Sequence, residues 1–467
     1  MTGLRKTQGL AGAAVAALLL WVGTAPALAE TIEGALIRAY QNNPQLNAQR
    51  ASVRSTDENV PQALSGYRPK IAVTASAGGQ YQDTHSRNAP GQPIQVLSGT
   101  NAPRSVGGTI TQTLYNGNQT ANSTRAAEGQ VSAAREGLRV LEQSVLLAAA
   151  TIYMDYLRDS AIVEVQRSNT RVLEQTLKQT QDRFNVGEVT RTDVAQSEAQ
   201  LAAGRTQLLT AESNLTTTRA NYRRIIGNDP VSLAPGSPVD RFLPATLATS
   251  INTGLIENPN VTAAMYGIDV SYLQVKINEG ALFPTVTLQG SIQQSWDSTL
   301  QVPRALNAAA VAQVVVPIYQ GGAEYALIRQ SKESLAQQRL NLDQVRDQTR
   351  ATIAQAWGQL IAGRSQVASA QAQVTASEIA LNGVREEARV GQRTTLDVLN
   401  AQQALVNARV ALVTAQHDRV VASYAVLNAV GRLSPLTLKL RTPVYDPNVH
   451  YQQVRDSWGG IRTPDGH

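Results

Sequence analysis

RVGQRTTLDV at residues 389–398 and NVGEVTRTDV at residues 185–194 decide how this chain folds. The two decapeptides lie 204 residues apart (391 − 187), and each places a glycine between two long segments of helical character. Glycine ends a helix at little cost because it adopts the left-handed backbone conformation. A Thr or Asp that follows can cap the next helix through a side-chain oxygen. Each decapeptide therefore predicts the tight tip of a long helical hairpin.

Composition and charge exclude several classes of protein. The chain has 467 residues, a formal net charge of +6, no cysteine and only three Phe. So small a charge on so long a chain is not the footprint of a nucleic-acid-binding protein. Without cysteine, the chain has no disulfide, no thiolate metal site and no cysteine to carry a lipid at its mature N-terminus.

The N-terminal residues predict a secretory signal peptide, residues 1–29. Arg5 and Lys6 precede an apolar run at residues 10–22, and Ala27-Leu28-Ala29 has the small-x-small pattern of a cleavage site. An anchoring helix is the alternative, but the apolar run is short for a membrane span. No later segment reaches 18 uninterrupted apolar residues, so no transmembrane helix is expected after it.

The rest of the chain reads as a tandem duplication of one unit: helix, β-hairpin, long helix, tip and shorter helix. Asn258-Pro259 repeats Asn43-Pro44 at a shift of 215 residues, whereas the tips repeat at a shift of 204. The second repeat is therefore 11 residues shorter, and the difference lies in the loop between its two strands. In the first repeat this loop is expected at 83–105. The first repeat is expected at 30–230, with strands at about 69–82 and 104–115. The second repeat is expected at 231–440, with strands at about 284–297 and 308–318. A flexible tail is expected at 441–467.

Apolar residues seven apart mark the long helices. Proline is absent from 120–184, and that segment carries Val131, Leu138, Val145 and Ile152 at the spacing of a coiled-coil seam. The second repeat has the same spacing at Leu360, Val367, Val374 and Leu381. At 1.5 Å per residue, such a helix is about 100 Å long.

Four strands per chain point to a membrane barrel shared between chains. Their length, about 10 residues, suits a bilayer-spanning strand, and aromatic residues lie near their ends: Tyr67, Tyr81, Tyr115, Trp296 and Tyr319. Four strands cannot close a barrel, and an open edge cannot face lipid. Three chains would give twelve strands with room for a lumen. The alternative is a small soluble sheet on a coiled-coil rod.

The mature chain resembles the TolC family of outer-membrane efflux proteins. The resemblance rests on the signal peptide, both Asn-Pro helix starts, the stretches 284–288 (PTVTL) and 317–322 (PIYQGG), and the two tips. It implies a mostly α fold with a membrane β-barrel, in which a homotrimer forms a 12-strand barrel in the outer-membrane lipid, continued by a long periplasmic α-helical barrel. It also implies a periplasmic adaptor and, through it, an inner-membrane transporter of the ABC, RND or MFS type.

The resemblance further implies a gate near the tips. Arg393, just before the second Thr-x-x-Asp, would contact Thr192 and Asp193 of the first tip, and Asp397 would face the lumen as part of an acidic ring. The alternative is that these are ordinary solvated charges. Asn400 and Ala388 replace residues that usually complete the gate, which predicts a leakier resting pore.

The tips themselves are the expected docking surface for the adaptor. The residues concerned are Val186, Gly187, Thr190, Val390, Gly391 and Thr394. The alternative is that the two glycines serve only the turn.

Nothing in the sequence predicts an enzyme, a metal site or a cofactor. The four histidines, His85, His417, His450 and His467, have no Asp or Glu at metal-ligand spacing, and no phosphate-binding loop appears. A periplasmic coiled-coil structural or adaptor protein without a pore remains an alternative, although an adaptor would carry one hairpin rather than two. The resemblance covers both drug efflux and type I protein secretion, and the lumen residues do not choose between these cargoes.

Overall fold

The computed structural model describes residues 29–87, 90–464 and 466. The predicted signal peptide, apart from Ala29, lies outside the described residues. The chain divides into two compact units, one comprising residues up to 43, 146–239 and 362–423, the other 44–145, 240–361 and the residues from 424 onward.

Helices account for most of the described chain, so the prediction of a mostly α fold is confirmed. None of the described helices has the length and apolar character of a membrane span. The helices are α1 Ile32–Asn42, α2 Pro44–Asp57, α3 Asn59–Leu64, α4 Gln119–Asn185, α5 Arg191–Ile226, α6 Leu247–Glu257, α7 Pro259–Gly280, α8 Ala323–Arg389, α9 Thr395–Val430 and α10 Pro447–Val454.

The duplication is visible in the lengths of the helices. Helices α4 and α8 have 67 residues each, and α5 and α9 have 36 each. Both helices of the second pair begin 204 residues after their counterparts (323 − 119 and 395 − 191). The predicted seams are buried at every position except Val367, which is partly exposed. At 1.5 Å per residue the longer helices measure about 100 Å and the shorter about 54 Å.

The described strands form two antiparallel sheets. A four-stranded sheet has the order β1-β4-β5-β6, and β2 pairs with β3 in a separate hairpin. The strands are β1 Lys70–Ala77, β2 Gln80–Ser86, β3 Gln95–Asn101, β4 Arg104–Asn116, β5 Thr285–Thr299 and β6 Val302–Val315.

The first half of the sheet region differs from the sequence-based expectation. The loop expected at 83–105 contains most of the β2–β3 hairpin, and the strand expected to reach residue 82 ends at Ala77. Gly78 and Gly79 interrupt it, because glycine has no side chain to pack and weakens a strand. In the second half, β6 begins at Val302 rather than near 308 and ends two residues before Pro317, which cannot donate to a strand ladder.

The four-stranded sheet has one apolar and one polar face. Residues directly opposite one another in antiparallel strands project to the same face. Ile110 lies opposite Ile71 on one side and Gly290 on the other, and Ile292 lies opposite Gly108 and Ala308. These residues belong to the apolar face. The opposite face carries Thr and Ser from all but the last strand, together with Gln289, Gln293, Asn307 and Gln313.

The segment expected to be a flexible tail contains an ordered helix. Asp446 caps α10, and Pro447 occupies its first turn, where a missing N–H costs nothing. His450 and Val454 are buried, and His450 Nδ1 lies 3.0 Å from Asp57 Oδ2 of α2. The Asp-Pro start of α10 parallels the Asn-Pro start of α2, so a recognisable helix signal was hidden by the prolines and charges around it.

Candidate functional site

The first tip is a tight turn built on Gly187. After α4 ends at Asn185, Gly187 takes a φ of +82°, a conformation that favours glycine. Its N–H donates to the carbonyl of Phe184 at 2.9 Å, and the N–H of Glu188 donates to the carbonyl of Arg183 at 2.9 Å. These bonds satisfy carbonyl groups that the end of a helix leaves unpaired.

Helix α5 starts from a reciprocal capping box. Asp193 N–H donates to Thr190 Oγ1 at 3.3 Å, and Thr190 N–H donates to Asp193 Oδ2 at 2.9 Å. The Thr190 hydroxyl also donates to the same Oδ2 at 2.7 Å. This arrangement gives the N–H groups of Thr190 and Asp193 side-chain acceptors at the start of the helix.

The second tip repeats the first almost bond for bond. Gly391 also has a φ of +82°. Thr394 N–H and its hydroxyl donate to Asp397 Oδ2 at 3.0 and 2.9 Å, and Asp397 N–H donates back to Thr394 Oγ1 at 3.2 Å. The duplicated sequence thus gives duplicated geometry at the level of single hydrogen bonds.

Capping lowers the pKa of both aspartates. For Asp193, the hydroxyl of Thr190 is the largest cause, followed by the backbone N–H of Thr190. For Asp397, the backbone N–H of Thr394 comes first and the Thr394 hydroxyl second. Both carboxylates are therefore charged at neutral pH. In each of them Oδ2 carries the cap, and Oδ1 takes part in no hydrogen bond with the described residues.

Arg393 pairs with Glu387 in this structure. Its Nε donates to Glu387 Oε2 at 2.8 Å across the second tip. Within the described chain, no hydrogen bond or ion pair joins Arg393 to Thr192 or Asp193. Thr192 is exposed. Glu387 was not among the residues predicted for the gate, although it lies only six residues before Arg393 on the other side of the turn.

The two tips expose an apolar side chain at the same position. Val186 and Val390 are 73% and 72% exposed, each directly before the glycine of its turn. A fixed turn that holds an exposed valine suits docking against another protein, because little conformational entropy is lost on binding.

A polar network that includes the buried Gln402 and Asn169 joins the two helical hairpins. Gln402 of α9 donates to Asn169 of α4 at 3.3 Å and accepts from Arg385 of α8 at 3.0 Å. Beside it, Gln200 of α5 donates to Gln403 of α9 at 3.1 Å. These residues were not predicted to be functional. The one feature of the sequence that could have indicated them is their polar character at positions where the helices meet.

The predicted interface aromatics are all exposed but do not form one set. Tyr67 and Tyr319 flank the four-stranded sheet, Tyr115 lies at its helix-proximal end opposite Val286, and Trp296 lies near its other end. Tyr81 belongs instead to β2, where it pairs with Thr100 of β3. Among the described residues, no group of three or more His, Asp or Glu has the geometry to hold a metal ion.

Comparison with known proteins gives one consistent result. The family model described as outer membrane efflux protein matches residues 35–228 and 251–432. The chain is 42% identical over 457 residues to the outer membrane efflux protein BepC of Brucella suis, covering 97% of each protein. It is 27% identical over 427 residues to the outer membrane protein TolC of Vibrio cholerae, covering 87% of this chain and 92% of that protein.

The fold is also that of solved outer-membrane channels. The crystal structure of the Campylobacter jejuni CmeC outer membrane channel superposes with a TM-score of 0.76 at 16% identity, covering 91% of this chain and 89% of that one. None of these comparisons supports a poreless coiled-coil or adaptor protein. Because the family model covers both repeats and BepC matches nearly end to end, the chain belongs to the outer membrane efflux protein family.

Proposed function

We propose that three copies of this outer membrane efflux protein close a 12-strand barrel and form an exit duct through it. The observation that carries this proposal is the four-stranded sheet with two unpaired edges. Within the described chain, β1 pairs only with β4, and β6 only with β5. An unpaired edge cannot remain in lipid, because its N–H and C=O groups would lack hydrogen-bond partners. Pairing β1 of one copy with β6 of the next removes both edges.

The two faces of the sheet support the same assembly. The apolar face keeps large side chains exposed, among them Ile71, Val73 and Leu306. Side chains of this kind suit the lipid-facing side of a barrel, while the Thr, Ser and Gln of the other face suit a water-filled interior. Twelve strands leave a lumen, whereas the eight strands of a dimer would be filled by side chains.

The tips are the proposed docking surface for a periplasmic adaptor, which would connect the duct to an inner-membrane transporter. Val186-Gly187 and Val390-Gly391 present matched exposed apolar side chains, and the capping boxes at Thr190 and Thr394 fix the turns behind them. The proposed duct passes its cargo without chemical change and without a cofactor.

The proposed gate lies at the same end and consists of Thr192, Asp193, Arg393 and Asp397. Glu387 accepts a hydrogen bond only from the Nε of Arg393. The two Nη groups of Arg393 therefore make no hydrogen bond with the described residues. Asp193 Oδ1 likewise makes no hydrogen bond with the described residues, while Oδ2 completes the capping box of α5. Arg393 and Asp193 therefore retain the donor and acceptor atoms for a link that tightens in a closed state, and Asp397 supplies one charge per chain to an acidic ring.

Cysteine pairs test the shared barrel, because the chain has no cysteine of its own. One variant combines Thr74→Cys on β1 with a cysteine at successive positions of β6. We expect oxidation to produce covalently linked trimers at one register. The matched control is Thr109→Cys with Ser291→Cys, which face each other within one chain and should crosslink without a change in mass. Monomers at every β1–β6 combination, with the control pair oxidised, would refute the shared barrel.

A further inference from the structure

The end of the four-stranded sheet that lies away from the helices carries a row of three residues with a distinct chemistry. Arg104 of β4 lies directly opposite Trp296 of β5, which in turn lies directly opposite Arg304 of β6. The register therefore places one arginine on each side of a tryptophan, on neighbouring strands. We call these three residues the Arg-Trp-Arg row.

The row continues the apolar face of the sheet. Two residues along each strand from the row come Val106, Gln294 and Leu306, which lie opposite one another. Since strand residues two apart project to the same face, the row shares a face with Val106, Ile292 and Leu306, all exposed. The row thus forms one margin of the surface that faces lipid in the proposed barrel.

The strands of this sheet carry few other charges. Besides the row, they contain only Asp297 and Lys70. Lys70 lies opposite Thr111 and so belongs to the polar face. Arg104 Nη2 donates to Asp297 Oδ2 at 2.7 Å, which offsets one positive charge. Arg304 is exposed and makes no hydrogen bond or ion pair with the described residues. A net positive charge remains at the margin of an otherwise uncharged apolar face.

Chain connections identify which margin this is. The row lies near one end of strands β4, β5 and β6. At the other end of the sheet, β4 and β6 lead into α4 and α8 after Asn116 and Val315, and β5 begins at Thr285 after α7. The row therefore lies at the margin remote from the helices. In a protein whose helices extend into the periplasm, that margin meets the headgroups of the outer leaflet.

We propose that the Arg-Trp-Arg row binds the phosphate groups of anionic lipids in the outer leaflet. Arginine presents planar, paired N–H donors that match phosphate oxygens, and it remains charged when partly withdrawn from water. Tryptophan is favoured at the level of lipid headgroups because its ring is apolar and its N–H is polar. The apolar face beside the row accommodates the acyl chains. This inference rests on the proposed barrel, which sets the sheet in the membrane.

The test compares binding of bisphosphorylated lipid A, and of the same lipid stripped of phosphate, to the trimer in phosphatidylcholine nanodiscs. Arg304→Gln should weaken binding of the phosphorylated lipid about fivefold, as expected for one basic residue near anionic lipid. Arg304→Gln combined with Arg104→Gln should weaken it further. Lys70→Gln, the matched control on the opposite face of the same sheet, should leave binding unchanged. The lipid without phosphate should bind all variants equally weakly.

Two further outcomes distinguish the possible failures. Inorganic phosphate at millimolar concentration should not displace the lipid; full displacement would mean that the row binds free phosphate and would overturn the lipid assignment. A trimer that inserts normally but holds both lipids equally, with or without the arginines, would overturn the row as a lipid site and leave the barrel intact. A chain that stays monomeric and outside the nanodisc would overturn the barrel and the row together.

Discussion

Each aspartate at the tips serves a structural role through one oxygen and keeps the other oxygen available. Asp193 and Asp397 complete the capping boxes of α5 and α9 by accepting hydrogen bonds at Oδ2. A substitution that removes the carboxyl group would disturb the cap and the proposed gate at once. Separating the two roles requires a replacement that removes the charge but keeps an acceptor oxygen in place.

Asp193→Ala and Asp193→Asn separate the cap from the gate. Alanine removes the acceptor for Thr190 N–H and should destabilise the first turn of α5 by about 1 kcal/mol, the net contribution of a typical hydrogen bond, whereas asparagine keeps an acceptor and should cost less. Both remove the charge, so both should raise the open fraction of the pore. Hydrogen exchange of the first turn of α5 and single-channel recording measure the two effects. Loss of protection in both variants alike would contradict the proposed division of roles.

The lowered pKa of Asp193 gives this cap a pH dependence. A carboxyl whose pKa is lower in the folded than in the unfolded state contributes stability above its ordinary value of 3.8 and loses it as pH falls through the folded pKa. Protection of the first turn of α5 should therefore decline only in strongly acidic buffer.

Among the described residues Arg393 pairs with Glu387, and in the proposed closed state it gains a second partner, Asp193. Arg393→Ser should raise single-channel conductance several-fold while the trimer remains as stable as before, because an exposed charge pair contributes little to folding. Glu387→Gln is the opposing control: it removes the competing partner seen here and should lower conductance. Equal conductance of both variants and the wild type would show that the lock lies elsewhere.

At the scale of secondary structure, the capping boxes and helix lengths were readable in the sequence because local rules determine them. Glycine at the tips, Thr-x-x-Asp and apolar residues seven apart all act within a few turns of helix. The β2–β3 hairpin was not readable, since Asn, Pro, Gly and Ser conceal the alternation of its strands. The partner of α10 was also hidden, because Asp57 and His450 lie 393 residues apart.

Helix α10 is held to α2 by a buried pair that makes the C-terminal segment part of the fold. Asp57 is fully buried, with His450 Nδ1 at 3.0 Å and Arg135 Nη2 at 4.0 Å. Burial raises the pKa of Asp57, and its hydrogen bond to His450 and the charge of Arg135 offset only part of that rise. The ionised carboxylate therefore depends on these partners.

His450→Ala should destabilise the protein by about 1–3 kcal/mol, the usual cost of leaving a buried polar group unpaired. A raised carboxyl pKa favours the folded state at low pH, and this stability is lost as pH rises through the folded pKa. The decrease in stability caused by His450→Ala should therefore be larger at neutral than at acidic pH. Val449→Ala, an exposed position on the same helix, is the control. Thermal unfolding of the three proteins measures the difference. Equal melting of His450→Ala and Val449→Ala would mean that the contact between His450 and Asp57 contributes nothing to stability.

A histidine links α9 to α4 within the first unit. His417 Nε2 lies 3.0 Å from Asp155 Oδ1, and His417 Nδ1 lies 2.8 Å from Asp418 Oδ1. Burial lowers the pKa of His417 and nearby Arg158 opposes protonation, but the two carboxylates outweigh both effects, so the pKa is raised. The pKa of Asp155 is lowered, because His417 and Arg158 together outweigh its burial.

This link should be strongest in mildly acidic buffer. A histidine with a raised pKa contributes its full stability below its ordinary value of 6.5 and loses it as pH rises through the folded pKa. Asp155 contributes above 3.8 and loses its contribution as pH falls through its folded value. The melting difference between wild type and His417→Gln should therefore be greatest between about pH 4 and 6.5 and shrink in alkaline buffer. A difference independent of pH would contradict a charged link.

At the scale of the whole molecule, the protein is an outer-membrane efflux channel with long periplasmic helices. The sequence pointed to this architecture because two copies of one unit agree in helix length and tip chemistry. The ends of the strands and the margin of the lipid-facing surface were harder to predict from the sequence. They depend on pairing between strands distant in sequence, such as β4 with β5. The Arg-Trp-Arg row appears only once that register is known.

Single-channel recording of mass-defined complexes in planar lipid bilayers tests the shared duct most directly. The mature protein is purified in detergent, separated by mass, and each fraction is added to the bilayer on its own. Complexes of three chains should give discrete, uniform conductance steps, and single chains should give none, because one chain leaves both sheet edges unpaired. Steps of the same size from single chains, or silence from inserted trimers, would contradict the account.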